Sequence, residues 1–337
     1  MKIVKIILSC LLVFSLFFTI FCGADKIKTD ADFGAPEEYK GILSLWHIDT
    51  FEGGTGSRKQ FLLSAAAYFE KTQSGALIMV TSETKQSAEE KMKNGVYPDM
   101  ISYGNGVNVS CVKQLKTFNC KSGAIDGKSY GAAWCRGGYC LIINPQLVSV
   151  AETEEKFNNK NLVLNDALVS ASDYTLPLIA AQCSGVTVQN AKIMKPLDAY
   201  VKFTGGKVPF FIGTQRDIIR LENRGINFGT LPLNGFCDLY QYISVVSENA
   251  EKKEISQRFI DFLCGEKTQK KLNTIGMFSV GYWLDYQGEM KKLETAPPQA
   301  AISLFTSENT LINLKDCSVK AAAGDTDALN IIKKILI

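Results

Sequence analysis

Residues 203–235 read FTGGKVPFFIGTQRDIIRLENRGINFGTLPLNG. Val208 to Ile212 is a short apolar run of strand type, bounded by Gly205-Gly206 and Gly213. Thr214-Gln215-Arg216-Asp217 then opens a helix. Thr214 suits the N-cap, and Asp217 three residues on suits the first turn, where a carboxylate favours the helix dipole. This is close to a capping box, with Asp in place of Glu or Gln. Ile218, Ile219 and Leu221 supply the apolar face, and Gly225 ends the helix. Asn227 to Leu233 starts the next strand. Strand–helix–strand units build parallel sheets, and ligands bind at the carboxyl ends of their strands. Thr214, Gln215, Arg216 and Asp217 stand at such an end, so they are the first candidate ligand residues.

A further pattern runs through the same stretch. F-x-x-G-K, a strand ending in Gly, a helix and a strand ending in P-L resemble the extracellular solute-binding proteins of ABC importers (family 1, maltose-type sugar binders). Phe203, Gly206, Lys207, Gly213, Pro232 and Leu233 carry the likeness. It continues at Phe259-Ile260-Asp261-Phe262-Leu263, Gln269 and Gly276, and covers roughly residues 41–285. No one of these motifs is specific; their order and spacing are.

The resemblance implies an α/β fold of two lobes, periplasmic-binding-protein-like and of type II. Each lobe is a mixed sheet flanked by helices. It implies lobe one from residues 41–134 plus 245–290, and lobe two from 135–244 plus 291–337. Tyr130 to Asn144 and Leu239 to Val246 are then the strands that cross between lobes. It further implies a monomer that closes on a small solute, most simply a carbohydrate, and hands it to the permease subunits of an ABC importer. Other solutes (a polyamine, a metal chelate, a peptide) fit the same frame, as does a tethered glycan-active enzyme or surface sensor.

At 337 residues the chain suits two domains, and its hydrophobic and charged fractions of 46% and 21% are ordinary for a globular protein. The net charge of +3 includes Lys2 and Lys5 of the leader, and no Lys/Arg run appears. That argues against nucleic acid as a partner. Lys2 and Lys5 precede an apolar run from Ile6 to Phe21, the length of a signal-peptide core. Cys22 follows, as in a bacterial lipobox, although Phe21 stands where that pattern wants a small residue. Residues 1–22 are expected to be a leader with lipidation at Cys22, and residues 23–40 a tether. The body would then sit on the outer face of the cell membrane, anchored by lipid.

Cys10 and Cys22 belong to the leader, which leaves eight of the ten cysteines. No CxxC or Cys/His metal spacing occurs, so no metal and no cofactor is expected. Mostly buried free thiols are expected, with Cys111–Cys120 the one candidate bridge. Cys135 and Cys140 are read as lying in one straight run, facing opposite sides.

Gly41 to Ile48 reads as the first strand, Arg58 to Lys71 as a helix capped by Ser57, and Ala76 to Thr81 as the second strand. Pro98 to Gly104 is a third strand and its exit loop. The segment TLPLIAA (175–181) reads as strand-like, and Ala328 to Ile337 as a closing helix.

Trp46, Asp49 and Glu52 follow the first strand. An aromatic ring beside carboxylates suits a sugar, because the ring stacks on C–H faces and the acids accept hydroxyl protons. Asn105 closes the third strand. Trp134 and Arg136 stand at the first crossing, Asp238 and Tyr240 at the second. Trp283 follows the return helices, where the resemblance implies a stacking aromatic. The GGTGSR run (53–58) lacks the Gly-Lys-Ser/Thr ending of a phosphate loop. His47 is the single histidine and no G-x-S-x-G elbow is present, so no catalytic residues are assigned.

Overall fold

A computed structural model describes residues 39–337 except Ser74. The leader, Cys22 and nearly all of the expected tether lie outside the described residues.

Fourteen strands are described, and ten of them form two five-stranded sheets. β1 (Gly41–His47), β2 (Ala76–Ser82) and β3 (Met100–Tyr103) run parallel in the first. β4 (Ala124–Ile125) and β5 (Lys128–Ser129) make a small hairpin, and β6 (Ala132–Arg136) joins the first sheet at its far edge. β7 (Tyr139–Ile143) enters the second sheet. β8 (Val163–Asn165) pairs with β10 (Thr187–Gln189). β9 (Leu168–Ser170), β11 (Lys192–Met194), β12 (Phe210–Thr214) and β13 (Gly229–Pro232) complete the second sheet. β14 (Tyr240–Val245) returns to the first. The orders are β2-β1-β3-β14-β6 and β11-β9-β12-β7-β13.

This topology fixes where a ligand site must lie. β14 is antiparallel to both β3 and β6, so β6 runs with β1–β3. Only Gly137 and Gly138 separate β6 from β7, so the chain passes straight from the first sheet into the second. β12 and β13 are antiparallel to β7 and run back toward the first sheet. The carboxyl ends of the co-directional strands of each sheet therefore face those of the other.

The helices form where the local sequence supports them. α1 (Arg58–Thr72) is capped by Ser57, whose hydroxyl accepts from Gln60 N at 3.2 Å. Its buried face, with Phe61, Leu62, Ala65 and Phe69, packs on β2. α2 (Lys85–Lys93) reaches β1 through Lys91, whose Nζ lies 5.2 Å from the Trp46 ring centre. α3 (Val150–Asn158), α4 (Pro177–Cys183), α5 (Pro196–Thr204) and α6 (Gln215–Asn223) belong to the second lobe. α7 (Ala250–Cys264) and the short α8 (Glu266–Gln269) return to the first, where Phe259 meets Phe69 edge-on at 5.3 Å. α9 (Gly288–Glu294) packs on β13 and α6. α10 (Glu308–Ala322) packs on α4 and on α11 (Thr326–Ile335). Phe203, Phe211, Ile218, Leu221, Met290 and Leu293 centre the second core. β7 carries no polar face because helices cover both of its sides, as burial of all five residues shows.

Several expectations are corrected. TLPLIAA is not a strand: Pro177 starts a helix there, where its fixed φ and missing N–H are harmless. β12 and β13 are co-directional, as the strand–helix–strand reading requires, but β7 lies between them. Tyr130 to Asn144 is not one run. It is two strands in two sheets, so Cys135 and Cys140 are separated by the crossing. The sheet changes at Gly137-Gly138 and between Pro232 and Tyr240. Cys135, Arg136 and Tyr240–Ser244 thus pair in the first sheet, and α9 packs on the second. All eight described cysteines are free thiols, so the Cys111–Cys120 bridge is not formed. Among the described residues no helix is long and apolar enough to cross a membrane.

Candidate ligand cleft between the lobes

The loops at the facing strand ends meet. After β1, Phe51 and Glu52 project toward the second lobe; after β9, β11 and β12 come Ser172, Thr175, Pro196, Thr214 and Arg216. Glu52 Oε2 lies 3.2 Å from Arg216 Nη1 and 3.9 Å from Arg220 Nη2, so an ion pair bridges the lobes. The Tyr174 ring, just after β9, packs against Gly106, just after β3: a Cβ on Gly106 would fall 2.5 Å from the ring. Lys85 of α2 pairs with Glu308 of α10 at 2.7 Å and lies 5.1 Å from the Tyr174 ring. The cavity left between Glu52 and Thr214 is about 20 Å³, room for a single water. A drug-sized ligand needs about 300 Å³ or more. The lobes close on each other at this point, while a wider space of about 540 Å³ lies beside Lys85, Tyr174 and Glu308.

Three segments cross between the lobes side by side. Gly137 N donates to Leu239 O at 2.7 Å, tying the first crossing to the second. Arg136 and Phe278 exchange backbone hydrogen bonds at 2.9 Å each, tying the first to the third. Gln215 is fully buried; its Oε1 accepts from Gly138 N at 2.9 Å. A Cβ on Gly137 would come 2.9 Å from that same oxygen, so the glycine lets helix α6 approach the crossing.

Of the residues singled out from sequence, Glu52, Thr214, Arg216 and Asp217 line the cleft. Thr214 and Asp217 form the expected capping box: Asp217 Oδ2 accepts from Thr214 N at 3.0 Å. The others lie elsewhere. Trp46 is buried beneath α2. Trp134 is wholly buried, stacked on Phe61 at 5.7 Å, and its Nε1 donates to Ser102 Oγ at 3.1 Å. Both tryptophans are core because helices cover the faces of β1 and β6 they project from. Asp49 bridges His47 Nε2 at 3.0 Å and Arg58 at 2.7 Å. Gln215 and Arg136 brace the crossing; the Arg136 guanidinium sits 4.9 Å from the Phe278 ring centre. Tyr240 is buried beside Tyr242. Trp283 is 55% exposed and lines no part of the cavity. Asn105 is buried behind Gly104 and Gly106, with its Oδ1 unpartnered. Phe51, Tyr174, Lys85 and Glu308 were not singled out. Phe51 sits between two chosen residues and was legible; Tyr174 was hidden by the misread segment after β9.

Burial sets the acids of this region against one another. It works against the charge on Asp49, but the His47 hydrogen bond and the Arg58 guanidinium outweigh it and hold the carboxyl at about 2. Asp217 is pushed by burial up to about 6, against the Thr214 N–H and the two arginines. Asp238, at the second crossing, is pushed by burial up to about 7, although the Tyr139 hydroxyl donates to it at 2.7 Å. Both raised values exceed the unfolded value near 3.9, so between about pH 4 and 7 the folded state holds more protons than the unfolded one. Stability is expected to fall as pH rises through that window, and to fall again below about pH 4, where the unfolded chain takes up a proton that Asp49, held at about 2, does not. Melting temperatures from pH 3 to 8 should peak near pH 4. Asp238→Asn should flatten the neutral limb; an unchanged limb would assign it to other groups.

The sequence matches no protein-family model and no curated protein. Solved structures do match. The sugar-binding protein MalE from Xanthomonas citri aligns with a TM-score of 0.61 at 13% identity, over 88% of this chain and 96% of that one. The GacH receptor of Streptomyces glaucescens, solved unliganded and with acarbose, aligns at 0.56 and 12%, over 88% and 98%. Iron-bound HitA from Pseudomonas aeruginosa aligns at 0.55 and 12%, over 82% and 99%. Among the described residues no group of three or more His, Cys, Asp or Glu side chains could hold a metal ion. Proteins of this shape thus bind ligands of unlike chemistry, and what the likeness shows is architecture: the chain has the two-lobe, type II periplasmic-binding-protein fold.

Proposed function

We propose that the chain is an extracellular solute-binding lipoprotein that captures a carbohydrate by hinge closure and delivers it to an ABC importer. The observation that carries this reading is the Glu52–Arg216 pair joining two lobes at the carboxyl ends of both sheets. Separating the lobes breaks that pair and opens a cleft bearing the Ser170, Ser172, Thr175 and Thr214 hydroxyls beside Phe51 and Tyr174. Hydroxyls and charged groups hydrogen-bond sugar hydroxyls, and rings stack on sugar C–H faces. A ligand touching both lobes favours the closed form by its differential affinity. The protein is a binder and not an enzyme. A lipid on Cys22 would keep the body at the outer face of the membrane, beside the permease.

Thermal-shift and calorimetric titration with a panel of oligosaccharides, spermidine and ferric citrate tests the reading. A shift with at least one saccharide is expected. A response only to spermidine or ferric citrate would overturn the carbohydrate assignment. Arg216→Ala is expected to weaken ligand binding about 10- to 100-fold, the worth of a charged hydrogen bond. Unchanged affinity would remove the site from this helix start.

A further inference from the structure

We infer that the solute held in this cleft carries an anionic group, a carboxylate first of all, gripped jointly by Arg216 and Arg220; the inference rests on the solute-binding reading above. The two arginines stand four apart on α6 and share one face. Like charges so placed repel unless an anion lies between them. In the closed cleft a single carboxylate oxygen, Glu52 Oε2, serves both, and it comes from the other lobe.

That service is incomplete. Arg220 reaches Glu52 at 3.9 Å and Asp217 at 3.9 Å, both beyond hydrogen-bonding distance. Its Nη1 is buried with no hydrogen-bond partner. Asp217 helps only in part: its Oδ1 stands 3.9 Å from Arg220 Nη1, while its Oδ2 accepts from Thr214 N. The Arg220 guanidinium is nevertheless held in place, 5.4 Å from the Tyr200 ring centre. When the lobes part, Glu52 leaves with the first lobe, and the Arg216 and Arg220 guanidinium groups lose its carboxylate. A neutral sugar satisfies N–H donors but not the charge. A carboxylate does both, because its two oxygens match the planar fork of arginine. Glu52 then acts as an internal stand-in that the ligand's acid displaces. The chemical class is an acidic saccharide, with a uronic acid residue directed at α6. A sulfated saccharide shares this chemistry.

Calorimetric titration of the whole protein with trigalacturonate, a sulfated disaccharide and maltotriose separates the cases. Trigalacturonate is expected to bind about tenfold or more tighter than maltotriose, with an affinity that falls as salt rises. Glu52→Gln removes the competing carboxylate and should tighten trigalacturonate binding by about threefold or more. Arg220→Met should weaken it about tenfold and weaken maltotriose less, so that the preference for the acid narrows. Arg220→Lys, which keeps the charge but not the fork, should fall between, and guards against misfolding as the cause. Tighter binding of the sulfated sugar keeps the anion site and changes the group it holds. Maltotriose binding as tightly as both acids overturns the proposal and leaves the carbohydrate reading standing. Failure of every saccharide overturns both.

Discussion

Replacing Trp134 by alanine is expected to lower stability by about 3–5 kcal/mol. For a body of this size that is a fall of roughly 6–10 °C in melting temperature. The fraction that stays folded should bind ligand as the parent does. The reason is placement. Trp134 heads the largest wholly buried side chains, lies parallel to Phe61 at 5.7 Å and donates to Ser102 Oγ. Truncation leaves a cavity under β6 that close-packed neighbours cannot fill, and it takes the indole donor from Ser102. Trp134→Phe keeps most of the volume and should recover about half the loss. Denaturant titration beside calorimetric titration of ligand decides the matter. A variant that melts normally but no longer binds would put the indole in the cleft.

Gly54→Ala is the second large effect, with an expected cost of about 3 kcal/mol or more. Gly54 has φ of +50°, and a Cβ there would fall 1.6 Å from the backbone oxygen of Ile275. No side chain can rotate away, because the obstacle is main chain. The same oxygen accepts from Thr55 N at 3.1 Å, a bond that fastens the loop after β1 to the turn before Met277. Glu52 rides on that loop, so the variant should also loosen the bridge to Arg216. Gly127→Ala is the control. Its φ is +73°, yet nothing lies within 4 Å of its Cβ, so only the conformational cost of about 1–2 kcal/mol applies. Equal melting temperatures for the two variants would show that the close approach at Ile275 carries no weight. An intact Arg216 contribution to binding in the Gly54 variant would show that the loop is held by other means.

Much of the frame was legible because it rests on local chemistry. Thr214 and Asp217 cap α6 as their spacing requires, and Ser57 caps α1. Helix start signals act within a turn, so they survive any tertiary arrangement. The segment after β9 was misread for the converse reason. TLPLIAA has the apolar run of a strand, and only its packing against β7, β9 and β12 makes it a short helix. The candidate site divides along the same line. Glu52 and Arg216 were recognisable as charges at strand ends. Trp46, Trp134 and Gln215 carry side chains that suit a ligand equally well, and nothing in their spacing says which face a second layer of helices will cover.

The helix starts and their caps were determined by the sequence itself, since each depends on neighbours a few residues away. The pairing of Glu52 with Arg216, the seating of Tyr174 on Gly106 and the burial of Trp46, Trp134, Gln215, Asn105 and Tyr240 were decided only by tertiary structure. The physical reason is that β6 runs straight into β7, turning two sets of strand ends toward each other. Side chains more than a hundred residues apart then meet, or are covered, according to which sheet face they happen to occupy.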